Sequence, residues 1–159
     1  MKPDLNRALI VGFGSPYGDD QFGWQVIKQL QIALKDRNGV RAICCDHSGV
    51  DWIHQYQPPE ELIFVDAVKS GAIPGTLHRL SLNPSEKLTL PSTTSSHGIG
   101  LQQGLAIAAA ITELPTEIEF YGVELEQCNA SNRASPATIE QVEKTTRQIL
   151  KSSCLCYPS

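Results

Sequence analysis

Residues 7 to 34, RALIVGFGSPYGDDQFGWQVIKQLQIAL, change hydrophobic period once, and that change constrains the fold more than any other feature of the chain. RALIVGFG is a short β-rich apolar run closed by Gly12 and Gly14, the pattern of a buried strand. Phe22, Val26, Ile27, Leu30 and Leu34 then recur at helical spacing, which predicts an amphipathic helix over roughly residues 20 to 35. DRNG stops it, with Gly39 as the terminator.

The alternation continues down the chain. VRAICCD predicts a second strand ending at Asp46, GVDWIHQYQ a short helix ended by Pro58-Pro59, and ELIFVDAV a third strand with Asp66 near its end. IPGTLHRLSL reads as a fourth strand entered through a Pro-Gly turn, followed by a Ser/Thr/Pro-rich loop, NPSEKLTLPSTTSS. HGIGLQQGLAIAAAIT is apolar on most faces and predicts a largely buried helix; EIEFYGVEL is a fifth strand. Ser135 caps a last helix, Pro136 takes its first position, and Ile139, Val142, Ile149 and Leu150 supply the stripe. Strands alternating with helices predict an α/β, three-layer architecture, a mostly parallel sheet covered on both faces. Ligands of such sheets bind beyond the carboxyl ends of the strands.

Composition narrows the partners. At 159 residues and 41% hydrophobic, the chain, residues 1 to 159, is expected to form one domain with a full core. A net charge of −4 without a basic patch argues against nucleic acid. The apolar runs fall short of the roughly 18–20 residues of a membrane span, and MKPDLNR has no signal-peptide apolar stretch. Five cysteines (44, 45, 128, 154 and 156), an odd count without framework spacing, point to reduced thiols and a cytoplasmic setting. Cys154-x-Cys156 lacks the second pair a structural zinc site needs, and Cys44 and Cys45, inside a β-run, are expected in the core. Trp24 and Trp52 are also expected in the core, and His54 and His78 have no evident partner.

The first loop carries the sharpest chemical signal. Gly12-x-Gly14 invites a dinucleotide reading, but the third glycine, Gly18, is displaced by one residue. Asp19 and Asp20 would occupy the helix end that a pyrophosphate needs, and a Walker-type Lys-Ser/Thr is missing, so no nucleotide is expected. Helix capping accounts for one of the two aspartates, not for both. Asp66 emerges at the carboxyl end of a strand that should be central, and His97 begins the helix after the Ser/Thr-rich loop. If the preceding strand runs parallel to the others, or that loop returns the chain to the same edge, Asp20, Asp66 and His97 meet as two carboxylates and an imidazole, a donor set suited to nickel, zinc or manganese. The residues alone leave the plainer alternative open: a capping Asp, a strand-end Asp and a solvated His.

Three blocks, in order, resemble the hydrogenase maturation proteases. LIVGFGSPYGDDQFGWQVIKQL is similar to their opening strand, Gly-x-Gly-Asn, acidic pair and helix; LIFVDAVKSGAIPGTLHRL to their strand ending in Asp-Ala followed by Pro-Gly-Thr; and SSHGIGLQQGLAIA to their His-x-x-Gly-Leu. IEFYGVEL matches their last strand more loosely. The resemblance implies a twisted, mostly parallel five-stranded sheet between helices, of the phosphorylase/hydrolase-like type. It also implies an endopeptidase that removes the C-terminal extension of a nickel–iron hydrogenase large-subunit precursor once nickel is inserted. The implied metal-contacting residues fall on Asp20, Asp66 and His97, and the candidate catalytic carboxylates are Asp20 and Asp46. Nickel would be borne by the substrate, although another divalent ion can occupy such a site in vitro. The implied partner is the precursor, with no nucleic acid, membrane or nucleotide. The alternative is a non-catalytic binder of a metalloprotein precursor on the same fold, with proteolysis weakened or lost.

Three departures stand out. Ser15 replaces the family's Asn in a loop one residue shorter. Asp46-His47-Ser48-Gly49 replaces Asp-Gly-Gly-Thr. Glu124 stands in a Gly-Ile-Glu-Pro-like segment that lacks the Pro.

Overall fold

The computed structural model describes residues 7–46, 50–86, 96–126 and 133–155, the side chains of 96–100 excepted. Five strands, β1 (Ala8–Phe13), β2 (Val40–Cys45), β3 (Glu61–Val68), β4 (Leu77–Leu82) and β5 (Ile118–Glu124), form one sheet in the order β2-β1-β3-β5-β4. Helices α1 (Phe22–Ala33), α2 (Ser96–Ile111) and α3 (Pro136–Leu150) cover it, and two 3₁₀ turns, Gly18–Gln21 and Asp51–His54, follow β1 and β2. The α/β, mostly parallel five-stranded architecture expected from the sequence is the one found. β1 pairs in parallel with β2 and β3, and β3 with β5, whereas β4 runs antiparallel to β5.

Strand alternation divides the core. Ala8 and Ile10 of β1, Ile63, Val65 and Ala67 of β3, and Tyr121 and Val123 of β5 join Phe22, Val26, Ile27 and Leu30 of α1 and Val142 and Ile149 of α3. Leu9, Val11, Phe13, Leu62, Phe64, Val68, Ile118 and Phe120 face the other way, onto Leu101, Leu105 and Ala108 of α2 and onto Trp52. Trp52 is fully buried, its ring edge-on to Phe64 at 5.2 Å.

Several expectations need correction. Only one face of α2 is buried: Ile107 and Ile111 are exposed, so an apolar, Ala-rich sequence did not imply burial all round. In α3 the buried stripe runs through Thr138, Val142, Thr145, Thr146 and Ile149, while Ile139 lies in solvent. Three threonines thus take core positions by burying their methyls; Thr146 returns its hydroxyl to the Val142 carbonyl at 2.7 Å. Cys44 is exposed because β2 is an edge strand, and alternation buries Cys45 instead. Trp24 is half-buried, its indole donating to the Cys45 carbonyl at 3.0 Å. The Cys154 thiol is half-buried beside Glu119, whereas Cys128, Cys156, His47 and most of the Ser/Thr-rich loop lie outside the described residues.

Topology decides where α2 begins. Antiparallel β4 ends at Leu82, opposite Ile118 at the amino edge of the sheet. Six residues join Ile111 to β5, and Tyr56, just before β3, donates to the Glu113 carbonyl at 3.0 Å, so the C-terminal end of α2 also lies at the amino edge. A 16-residue helix spans about 24 Å. Lying along the sheet, α2 therefore carries its first turn, with His97, toward the carboxyl edge. Of the two routes the sequence left open for His97, the structure follows the one in which β4 is not parallel and the chain returns.

Candidate active site at the carboxyl edge

β2, β1 and β3 are neighbours, and an aspartate lies near the carboxyl end of β3 and beyond that of β2 and β1. Asp46 follows Cys45 of β2, Asp20 lies in the 3₁₀ turn after β1, and Asp66 sits three residues from the start of the β3–β4 connection. Adjacent strands are about 4.8 Å apart, so the three backbone positions share one rim. The first turn of α2 places His97 on this side as well; its side chain lies outside the described residues.

The glycines of the first block have a packing cause. A Cβ on Gly12 would lie 2.4 Å from Ile27 Cγ1 and 2.5 Å from the Gly23 carbonyl, so their absence is what lets α1 lie directly against β1. Gly14 serves the site itself: a Cβ there would stand 2.3 Å from the Asp20 carbonyl, which also accepts from the Ser15 N–H at 3.2 Å. The loop is thereby folded tightly back on Asp20.

The paired aspartates divide their roles. Neither stands at an N-cap position: those of the 3₁₀ turn and of α1 are Tyr17 and Gln21, whose side chains make no capping bond. Asp19 is buried and reaches past β3 to the exit of β5 and the start of α3. Its Oδ1 accepts from Ser135 N–H at 2.6 Å, and its Oδ2 from Glu126 N–H at 2.9 Å and from Ser135 Oγ at 3.1 Å. Ser135 is in turn the predicted N-cap of α3, accepting from Thr138 N–H with Pro136 behind it. Asp20, half-buried, stays at the rim.

Asp66 is only 4% exposed, and its Oδ1 accepts from Ala67 N–H at 2.7 Å. By alternation it shares the α2 side of β3 with Leu62, Phe64 and Val68. The β1–β3 register ends at Gly12–Val65, so Asp66, Ala67 and Val68 have β5 alone as a sheet neighbour. Asp66 is paired with Gly122, and Gly122 on its other side with His78.

Sequence reasoning missed the partner of His78. Its Nε2 is 3.2 Å from Glu124 Oε2, and Glu124, 2% exposed, also accepts from Ser70 N–H (2.7 Å), Ser70 Oγ (2.7 Å) and Gly71 N–H (2.9 Å). Burial alone would raise this carboxyl; the hydrogen bonds from Ser70, His78 and Gly71 outweigh it and hold the group below its ordinary value of 4.5. Only the pairing of β4 with β5 reveals the contact, because 46 residues separate the two side chains.

A second cluster lies beside Asp46. One donor atom each from Cys45, Asp46 and Asp51 fall within 4.8 Å of one another. Burial pushes the Cys45 thiol up, so it stays protonated and offers a poor ligand, while both carboxylates are exposed to water.

Comparison with known proteins identifies the family and the fold. A family model described as hydrogenase maturation protease matches residues 24–152, a span that includes Asp46, Asp66 and His97 and begins just after Asp20. The chain is 30% identical over 122 residues to the hydrogenase expression/formation protein HoxM of Azotobacter vinelandii, covering 76% of this chain and 59% of that one. It is 31% identical over 131 residues to HupM of Azotobacter chroococcum mcd 1, covering 80% and 63%. The chain thus spans about 60% of the length of these curated relatives. Its fold is similar to that of the hydrogenase maturating endopeptidase HybD from Escherichia coli, with a TM-score of 0.74 at 22% identity over 91% of this chain and 90% of that one. The maturation protease HycI from Thermococcus kodakarensis gives 0.70 at 25% identity over 92% and 91%.

Proposed function

The chain belongs to the hydrogenase maturation protease family, and from that premise we propose that it removes the C-terminal extension of a nickel–iron hydrogenase large-subunit precursor after nickel insertion. The observation that carries the reading is the placement of Asp20 and Asp66 at the exits of two adjacent parallel strands, with α2 opening at His97 on the same side. Two carboxylates and an imidazole form a mixed oxygen and nitrogen donor set suited to nickel. Nickel enters as part of the substrate: an ion already seated in the precursor takes its remaining ligands from the protease. A loaded precursor therefore binds better than an empty one, and each tenfold of preference requires only about 1.4 kcal/mol.

Asp46, exposed at the β2 exit, is placed to act as general base on a water, while the cargo ion polarises the scissile carbonyl. We place the reaction in the cytoplasm, on the odd cysteine count and the absence of disulfide-framework spacing. Among the described residues no helix is long and apolar enough to cross a membrane.

The test is incubation with purified precursor, loaded or unloaded with nickel. Cleavage of the loaded form alone, lost in Asp20→Asn, Asp66→Asn and His97→Ala, supports the protease. Stable association without cleavage by the wild type would make the chain a binder instead.

A further inference from the structure

Three consecutive residues at the exit of β5 each grip a different part of the rim. The Glu124 carboxylate takes the Ser70 and Gly71 N–H groups and the Ser70 hydroxyl, fixing the first residues after β3. Leu125 N–H donates to the Val68 carbonyl at 2.9 Å. Glu126 N–H donates to Asp19, the residue next to Asp20. The segment Asp66 to Val68 has lost β1 as a neighbour, so β5 and the Glu124 clamp are what hold it. The turn carrying Asp20 is likewise tied, through Asp19, to Glu126 and to Ser135 at the start of α3.

We propose that the end of β5 is a frame setting the position of Asp20 relative to Asp66, and that Asp19 and Glu124 are positioning residues for the reaction. Both are buried carboxylates, and neither needs to touch the substrate. Each converts backbone N–H groups of one loop into a fixed attachment on another element, so the two halves of the donor set are registered against one strand. At both positions both carboxylate oxygens accept, which an amide with a single acceptor oxygen cannot match, and charged acceptors form the stronger hydrogen bonds. His78, on β4, closes the Glu124 clamp from the far side.

This inference rests on the protease reading, and the experiment separates the two. Asp19→Asn and Glu124→Gln are compared with Glu60→Gln on nickel-loaded large-subunit precursor, at a temperature where all three are folded. Glu60 is an equally buried carboxylate, held by Arg41 and by Gln57 N–H just ahead of β3, at the opposite edge of the sheet. It therefore reports generic loss of stability. The frame predicts that kcat falls at least tenfold in Asp19→Asn and Glu124→Gln with KM within twofold of wild type. Glu60→Gln keeps both constants, and Glu124→Asp, which retains the charge, recovers part of the loss. Equal kcat across the three single variants, or a change confined to KM, would overturn the frame while leaving the protease standing. A wild type that cleaves no loaded precursor ends the protease reading. Amide exchange then decides the frame alone: it stands if Glu124→Gln frees 67–71 but not 40–45, and fails if the two segments respond alike.

Discussion

Gly23→Ala is the substitution for which the structure supplies the most complete arithmetic. The second residue of α1 is pressed against the sheet so closely that a Cβ there would stand 2.3 Å from the Phe13 carbonyl oxygen and 2.9 Å from that of Val65. Contacts under 3.0 Å are essentially never seen, so the helix must retreat by at least about 0.7 Å from the Phe13 carbonyl and by about 0.1 Å from that of Val65, and both obstacles are backbone. Overpacking of this kind costs about 1–3 kcal/mol, and a rigid obstacle puts the cost at the upper end. Alanine returns about 1 kcal/mol of helix propensity. The expected net loss is about 2 kcal/mol, read as a lower urea midpoint with unchanged slope. Because Asp20 lies three residues upstream, the same retreat shifts its loop, and precursor cleavage is expected to fall by more than stability alone explains. An alanine variant as stable as wild type would refute the claim that the glycines exist for helix-to-sheet contact, and would reopen the phosphate-loop reading.

Other outcomes follow from the same contacts. Since the folded Glu124 carboxyl lies below its ordinary value of 4.5, its contribution is fully present above that pH and is lost as pH falls through the folded value. The gap in urea midpoint between wild type and Glu124→Gln should therefore be widest above pH 5 and close on acidification; a constant gap would count against it. Iodoacetamide at alkaline pH should modify exposed Cys44 in the native protein and spare buried Cys45, as peptide mass spectrometry would show, although burial raises both thiols. Trp52→Ala should cost about 3–5 kcal/mol in a denaturant melt, since the indole is fully buried against Phe64 and Tyr56.

How far the sequence discloses this fold can be judged element by element. The strand-to-helix switch at residues 7 to 34, the Pro136 start of α3 and the Ser135 cap all reduce to local chemistry, and each is where the sequence puts it. What escapes is whatever depends on neighbours far along the chain. Cys44 and Cys45 are chemically identical, and only the edge position of β2 exposes one and buries the other. Three threonines take positions in the α3 stripe that a pattern of apolar residues does not mark: Thr146 returns its hydroxyl to the Val142 carbonyl, whereas the buried Thr145 hydroxyl has no hydrogen-bond partner among the described residues. The direction of β4 is equally hidden: an alternating run of six residues has the same pattern whichever way it points.

The candidate site shows the same division on a finer scale. Asp19 and Asp20 are adjacent, equally acidic, and both fit a helix N-terminus, so capping was the economical local reading. The contacts that separate them come from residues 107 and 116 positions away, and through these Asp19 serves the start of another helix. Once Asp19 is committed to β5 and α3, Asp20 is the acidic residue of the first loop left at the rim, half-buried, beside the strand that carries Asp66 near its end. A carboxylate pair after a strand is therefore better understood as an anchor and a rim residue than as two copies of one function. Exchanging their roles should fail, because Glu126 and Ser135 offer donors to the first position only.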